Sequence, residues 1–305
     1  MKIYLIYLLT LLGCTSDQVD HSNKTDDLQE NQVVITSERG VIFQEDFELT
    51  TIKEIQANWN DRKNAAGMSL SSDVPDKSGG KQSLMMTYIA GENEGGYLFK
   101  KLPGDFDSLY ARFYVKFLTR KSKMHHFVKL GGYNPASTYP KGLAGLKPNG
   151  NDFLISGIEC PLSSSWDWGF YTYWKDMVGS SKSGYWGNTF RPEKSIEMKV
   201  GEWTCVEFML KMNSPVSQSN GEQAFWINGK KILHLGEDFP LLEKGGNRVE
   251  SANGTPFEGF QWRNNEDLKL NFFWLNYYVT KGNPGDIDQV LFDDVVVSTD
   301  YIGPL

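Results

Sequence analysis

From Val41 onward the apolar residues come in short runs, many alternating with polar ones, and Gly, Pro, Asn and Asp stand between the runs. A period of two puts successive side chains on opposite faces of a strand, so the pattern predicts β-structure. The predicted strands are 41–47, 83–89, 97–101, 109–117, 127–130, 153–159, 169–174, 204–212, 223–227, 231–234, 268–279 and 289–298. Asn228-Gly229 falls between two apolar runs and predicts a two-residue hairpin turn, because both residues tolerate positive φ. No long stretch repeats with a period of 3.6, so helices should be few and short. Residues 41–305 suit one large sandwich, a fold that runs to roughly 200–250 residues. There is no internal repeat and no second linker. The expected fold is all-β: a two-sheet antiparallel β-sandwich of the jelly-roll type.

The N-terminal pattern is different. Met1-Lys2 is followed by an apolar run over 3–12, too short to span a bilayer with margin. No later segment is apolar enough for a transmembrane helix. Residues 15–40 are polar and poor in aromatics, which reads as a flexible tether. Leu11-Leu12-Gly13-Cys14 resembles the lipobox of bacterial lipoproteins. That resemblance implies cleavage before Cys14 and acylation of Cys14. The chain would then be exported and held at the cell envelope, meeting the membrane through a lipid anchor only. The expected organisation is a leader over 1–14, a tether over 15–40 and a carbohydrate-active domain over 41–305.

Charge and cysteine content narrow the field. A net charge of −7 argues against nucleic acid as a partner. It leaves room for an anionic polysaccharide, because a basic cleft can sit on an acidic protein. Cys160 and Cys205 are the cysteines other than Cys14. They form either one disulfide in an oxidising compartment or two small buried thiols.

Strand alternation then sorts the candidate chemistry onto faces. Arg112, Tyr114 and Lys116 share one face of 109–117, two cations flanking an aromatic, which suits an anionic sugar chain. In 125–129, strict alternation puts His125 with Lys129 and His126 on the other face, so His125 and Lys129 become a proton donor and a carboxylate neutraliser. Tyr171 and Tyr173 project the same way. Such a pair suits β-elimination, in which one phenol takes the C5 proton of a uronate and a phenol protonates the leaving O4. A free phenol has a pKa of about 10, and a nearby cation such as Lys129 would lower it. Glu159 is a candidate acid, base or ligand, and with Glu207 it forms the carboxylate pair of a glycosidase, which requires them to face each other. Arg263, Trp274, Asn276 and Tyr278 add further binding groups, the last three on one face.

Two resemblances rest on these residues. Residues 42–47 and 291–297 resemble the first and last strands of lectin-like and glucanase-like jelly rolls, which pair with each other. Such folds often carry a structural calcium nearby, which makes Glu45 and Asp293 candidate ligands; a solvated acidic edge is the alternative. No redox or other cofactor is expected. The series His125…Lys129-Leu130, then Ser156, then Tyr171-Thr172-Tyr173 resembles the jelly-roll polysaccharide lyases, especially the family 14 alginate and glucuronate lyases and more distantly heparin lyase I. The resemblance implies a concanavalin A-like fold, Lys129 as carboxylate neutraliser, Tyr171 or Tyr173 as base and acid, and Ser156 at the substrate. Where that family has Arg two positions after the serine, this chain has Ile158; Arg112 and Arg263 are the candidate substitutes. Stretches at 157–159, 170–174, 185–189 and 300–304 also resemble uncharacterised exported bacterial proteins of concanavalin A-like fold. Three functions follow in order: a uronate-specific lyase, a non-catalytic glycan-binding lipoprotein, and a glycoside hydrolase.

Overall fold

The computed structural model describes residues 40–161, 166–179 and 182–305. Cys14 and the tether lie outside the described residues. The described chain forms two large sheets packed face to face. The smaller sheet has eight strands and runs in the order Lys230–Leu235, Glu222–Ile227, Thr204–Lys211, Ser108–Phe117, Ile287–Ser298, Ser83–Ile89 and Met68–Ser71, with Val41–Glu45 also paired to Ile287–Ser298. The larger has eleven. Its centre runs Asn188–Arg191, Gly169–Tyr173, Phe153–Glu159, Val128–Tyr133, Leu270–Thr280, Gly95–Phe106 and Asp61–Lys63, with Lys123–His126 paired beside Leu270–Thr280. All these neighbours are antiparallel; Asn188–Arg191 and Asn247–Glu250 make a parallel pair. This is the antiparallel jelly-roll sandwich that the alternation predicted.

The first and last strands pair as expected, Val41 opposite Ser298 and Glu45 opposite Val295. Asn228 (φ 50°) and Gly229 (φ 77°) turn the hairpin that joins Glu222–Ile227 to Lys230–Leu235, the positive-φ pair that matches strand twist. The α-helix Ile52–Ala57 is short and closed by a capping box between Thr51 and Glu54. Strands such as Asp61–Lys63 (DRK) carry no apolar alternation. They form because an already built neighbour offers its open edge, here Gly95–Phe106.

The core lies between the inner faces. Ala111, Phe113, Val115 and Phe117 from the smaller sheet meet Val128, Leu130, Ile158, Phe170, Phe273 and Leu275 from the larger. Phe127 stacks on Phe292 at 5.4 Å and meets Phe113 edge-on at 6.0 Å, tying the sheets together. A polar tie is buried among them. Ser156 and Thr172 of the larger sheet donate to Gln223 Oε1 of the smaller at 2.8 and 3.1 Å.

A second apolar cluster covers the outer face of the larger sheet: Phe99, Tyr133, Phe153, Ile155 and Phe272, with Leu143, Tyr173, Tyr97 and Trp274 against it. The first five of these side chains are buried, so the outer face of the larger sheet is covered here rather than solvated.

Candidate active site

On that outer face, strand pairing sets side chains in a row. Trp274 is opposite Lys129, Lys129 opposite Gly157, and Gly157 opposite Tyr171. Adjacent strands lie about 4.8 Å apart. Lys129 and Tyr171 therefore stand on either side of Gly157. A Cβ there would meet Glu159 Oε2 and Lys129 Cγ, both at 3.1 Å, so glycine lets these two side chains pack over the strand.

Lys129 is 7 % exposed, and its Nζ lies 4.9 Å from the centre of the Trp274 ring. Burial pushes its pKa down, partly opposed by Glu159. Burial pushes the Tyr171 phenol up, reinforced by its hydrogen bond to Tyr173, and burial also raises Tyr173. The two rings meet edge-on at 5.7 Å. The backbone of Gly187 hydrogen-bonds both phenols, and Gly145 bonds Tyr173. Gly187 also lies flat on Tyr171: a Cβ on it would be 2.5 Å from the ring.

His126 completes the centre. Its Nδ1 is 3.2 Å from Glu159 Oε1, and its ring is 5.3 Å from that of Tyr171. Burial, then Lys129, lowers its pKa. The neutral ring with its proton on Nδ1 donates to Glu159 and leaves Nε2 as an acceptor. Glu159 is 2 % exposed and also accepts the Phe127 amide at 3.2 Å. It serves as the support of His126.

Two contiguous hollows of about 220 and 210 Å³ overlie this centre, and His126 and Trp274 line both. One continues over Lys129, Lys141, Leu143, Ile155 and Tyr173. The other continues over Lys63, Glu94, Tyr97, Asn276 and Tyr278. Together they make a groove across the larger sheet.

Lys129, Tyr171, Tyr173, Glu159, Trp274 and Asn276 thus come together as the sequence suggested. His125 does not join them. Phe127 and Val128 both face the core, which breaks the alternation, so His126 and not His125 shares the cleft with Lys129. His125 meets the Tyr278 ring edge-on at 5.0 Å, and partial desolvation, then His126, lowers its pKa to about 4. Ser156 faces inward to Gln223 and Thr172, because its alternate Gly157 takes the outward place.

The arginine and lysine expectations are corrected too. Arg112, Tyr114 and Lys116 lie on the smaller sheet, on the far side of the sandwich. Arg112 donates to the carbonyls of Asp294 and Gly303, the Tyr114 hydroxyl accepts the Leu305 amide, and Lys116 pairs with Asp73 at 2.7 Å. Arg263 is 1 % exposed and held by Asp107 and Glu266 at 2.7 Å each. These side chains hold the domain together.

Glu207 accepts the amides of Ile302 and Gly303 on the outer face of the smaller sheet. It cannot face Glu159, so the paired-carboxylate requirement of a glycosidase is not met. Cys160 and Cys205 do not form a disulfide with each other; Cys205 lies in Thr204–Lys211 of the smaller sheet and Cys160 just after Phe153–Glu159 of the larger. Glu45 accepts the Phe47 amide and the Asn58 amide group. Asp293 accepts the Asp294 amide. Among the described residues no three His, Cys, Asp or Glu side chains converge as a metal site.

His126, Lys141, Lys63, Glu94 and Tyr97 were not singled out in the sequence. The apolar pair Phe127-Val128 was the local sign that alternation fails beside His126. Lys141, Lys63 and Glu94 reach the groove from loops and an edge strand, which periodicity does not register, whereas Tyr97 stands on the predicted strand 97–101.

No family model matches the chain, and no curated protein does. Solved structures do. A mutant of alginate lyase Aly36B in complex with an alginate trisaccharide superposes with a TM-score of 0.57 at 12 % identity, over 86 % of this chain and 99 % of that one. The marine PL-14 alginate lyase from Aplysia kurodai gives 0.55 at 12 % identity, over 85 % and 99 %. At this identity the likeness is one of fold: the chain has the jelly-roll fold of these alginate lyases.

Proposed function

We propose that this protein is a polysaccharide lyase that cleaves a uronate-containing chain by β-elimination. The observation that carries the reading is the cross-strand row Lys129–Gly157–Tyr171, an amine and a phenol on one sheet face on either side of a glycine, with burial favouring the uncharged form of each. The Lys129 amine takes the C5 proton. The electrons form the C4–C5 double bond, the bond from C4 to O4 breaks, and the Tyr171 hydroxyl protonates the departing O4 while Tyr173 supports it. Lys141, at the wall of the same hollow, faces the uronate carboxylate and makes C5 more acidic. His126, held by Glu159, orients the sugar.

These roles differ from those the family resemblance implied. A phenol whose pKa is raised keeps its proton and serves as acid. A lysine whose pKa is lowered yields its proton and serves as base. A non-catalytic module would show a shallow aromatic groove without a lysine beside the tyrosines, and Lys129 argues against it.

The test is the ultraviolet band of the unsaturated uronate, followed with residues 41–305 on alginate, glucuronan, heparin-type and pectin-type polymers. A band that grows with one of them and is lost in Lys129→Ala and Tyr171→Phe supports the lyase. Growth that persists in both variants overturns the assignment. The reading extends to location: the leader and Cys14 suit an exported, lipid-anchored protein. Full-length protein should incorporate a labelled fatty acid in bacteria and Cys14→Ser should not.

A further inference from the structure

The two halves of the groove differ in charge. The half over Lys129 also holds Lys141, and no carboxyl group lines it; Glu159 lies beneath, engaged by His126 and the Phe127 amide. The half beyond His126 and Trp274 is lined by Tyr97, Asn276, Tyr277 and Tyr278 together with Lys63 and Glu94. Its one cation is neutralised: Lys63 Nζ lies 2.8 Å from Glu94 Oε2. The Tyr97 hydroxyl at its floor donates to a second carboxyl group, Asp61 Oδ2, at 2.8 Å. Trp274 stands between the halves, edge-on to Tyr97 at 5.5 Å on one side and under Lys129 on the other.

A uronate seated in the Tyr97 half would bring its carboxylate against Glu94, with Asp61 beyond the Tyr97 hydroxyl and no uncommitted cation lining the hollow to meet it. Like charges placed so oppose binding. Aromatic faces with amide and hydroxyl groups suit an uncharged sugar ring, which offers C–H faces to stack and hydroxyls to bond.

We infer that the substrate is a mixed polysaccharide, in which the uronate cleaved over Lys129 adjoins an uncharged sugar that occupies the Tyr97–Tyr278 half of the groove, rather than a chain of uronates alone. The inference rests on the lyase reading of the same site and names its substrate class. Glu94 is the residue that sets the choice. It rejects a second carboxylate both directly and by occupying Lys63.

The experiment compares kcat/KM, from growth of the unsaturated-uronate band, on two kinds of polymer. Alginate and glucuronan are all uronate. In hyaluronan and deacylated gellan, 4-linked glucuronates are separated by uncharged sugars. The wild-type protein should prefer one of the mixed polymers. Glu94→Gln, which frees Lys63, should raise the ratio of all-uronate to mixed-polymer kcat/KM by about two- to fivefold, the range for one exposed charge. A wild-type protein that cleaves alginate or glucuronan at least as well as both mixed polymers overturns the inference and leaves the lyase reading standing. So does a ratio that Glu94→Gln leaves unchanged. If no polymer is cleaved, affinity electrophoresis of Tyr171→Phe on the same four decides: retardation by a mixed polymer alone supports the inference on substrate class while the lyase reading falls. Retardation by the all-uronate chains, or by none, overturns it.

Discussion

Burial acts on Lys129, Tyr171 and Tyr173 in one sense, favouring the uncharged form of each. Amine and phenol are thereby set as base and acid without any neighbour having to ionise them. Removing either, as Lys129→Ala or Tyr171→Phe, should lower kcat by about 10²–10⁴-fold, the usual worth of one positioned proton-transfer group. Polymer binding, read by affinity electrophoresis, should persist. The pH profile follows from the signs. Below the lowered Lys129 pKa the base is protonated, so kcat/KM should climb with pH and level off before the ordinary lysine range. It should decline only where the raised phenol ionises. A profile that falls with rising pH across neutrality would contradict the roles. Gly187 gives a steric check. Gly187→Ala puts a methyl group against the Tyr171 ring, so it should cut kcat more than it raises KM, with the fold intact by circular dichroism.

Among the elements, the closing strand Ile287–Ser298 carries an unusual burden. Asp293 is fully buried, one of its oxygens has no partner, and burial with Asp294 alongside pushes its pKa up to about 8. A folded-state pKa above the unfolded value of 3.8 gives stability that is complete below pH 4. That stability is lost as pH rises through 8. Between pH 4 and 7 the loss amounts to roughly 3–4 kcal/mol. Asp293→Asn should abolish this decline, so urea denaturation of the variant should show it gaining on the wild type as pH rises. Equal slopes for both proteins would rule out a titrating Asp293. The strand that delivers Lys129 shows a different device. Two successive inward residues, Phe127 and Val128, turn the chain by one position, so His126 and Lys129, three apart, share the cleft.

Across the whole molecule, the core and the groove are two faces of one sheet. Phe127 packs inward against both sheets while its amide supports Glu159. Phe127→Ala should therefore cost about 3–5 kcal/mol in denaturant unfolding and reduce activity at temperatures where the variant is still folded. A loss of stability with unchanged kcat would uncouple the two. The cationic clusters expected on residues 112–116 and at Arg263 turn out to serve this same scale, bonding the C-terminal segment and the Asp107 loop to the sandwich.

What the sequence determined by itself was periodic or local. Alternation specifies strands and an all-β sandwich because each strand must bury one face. Asn228-Gly229 specifies its hairpin because the turn needs two positive φ values. Tyr171 and Tyr173 share a face because they are two apart on one strand. Lys129, Trp274 and Tyr171 were legible as candidates by residue type and strand position. Which sheet a strand joins is not periodic. Arg112 and Lys129 both stand on the outward face of their strands, and only the pairing order sends one to the back of the sandwich and the other to the cleft. A single break in alternation exchanged His125 for His126, because a one-residue shift reverses every face. The loop and edge residues Lys141, Lys63 and Glu94 owe their positions to long-range packing, which joins groups far apart in the chain. The ionisation states of Lys129 and Tyr171 are decided by burial, a property that exists only once both sheets have closed.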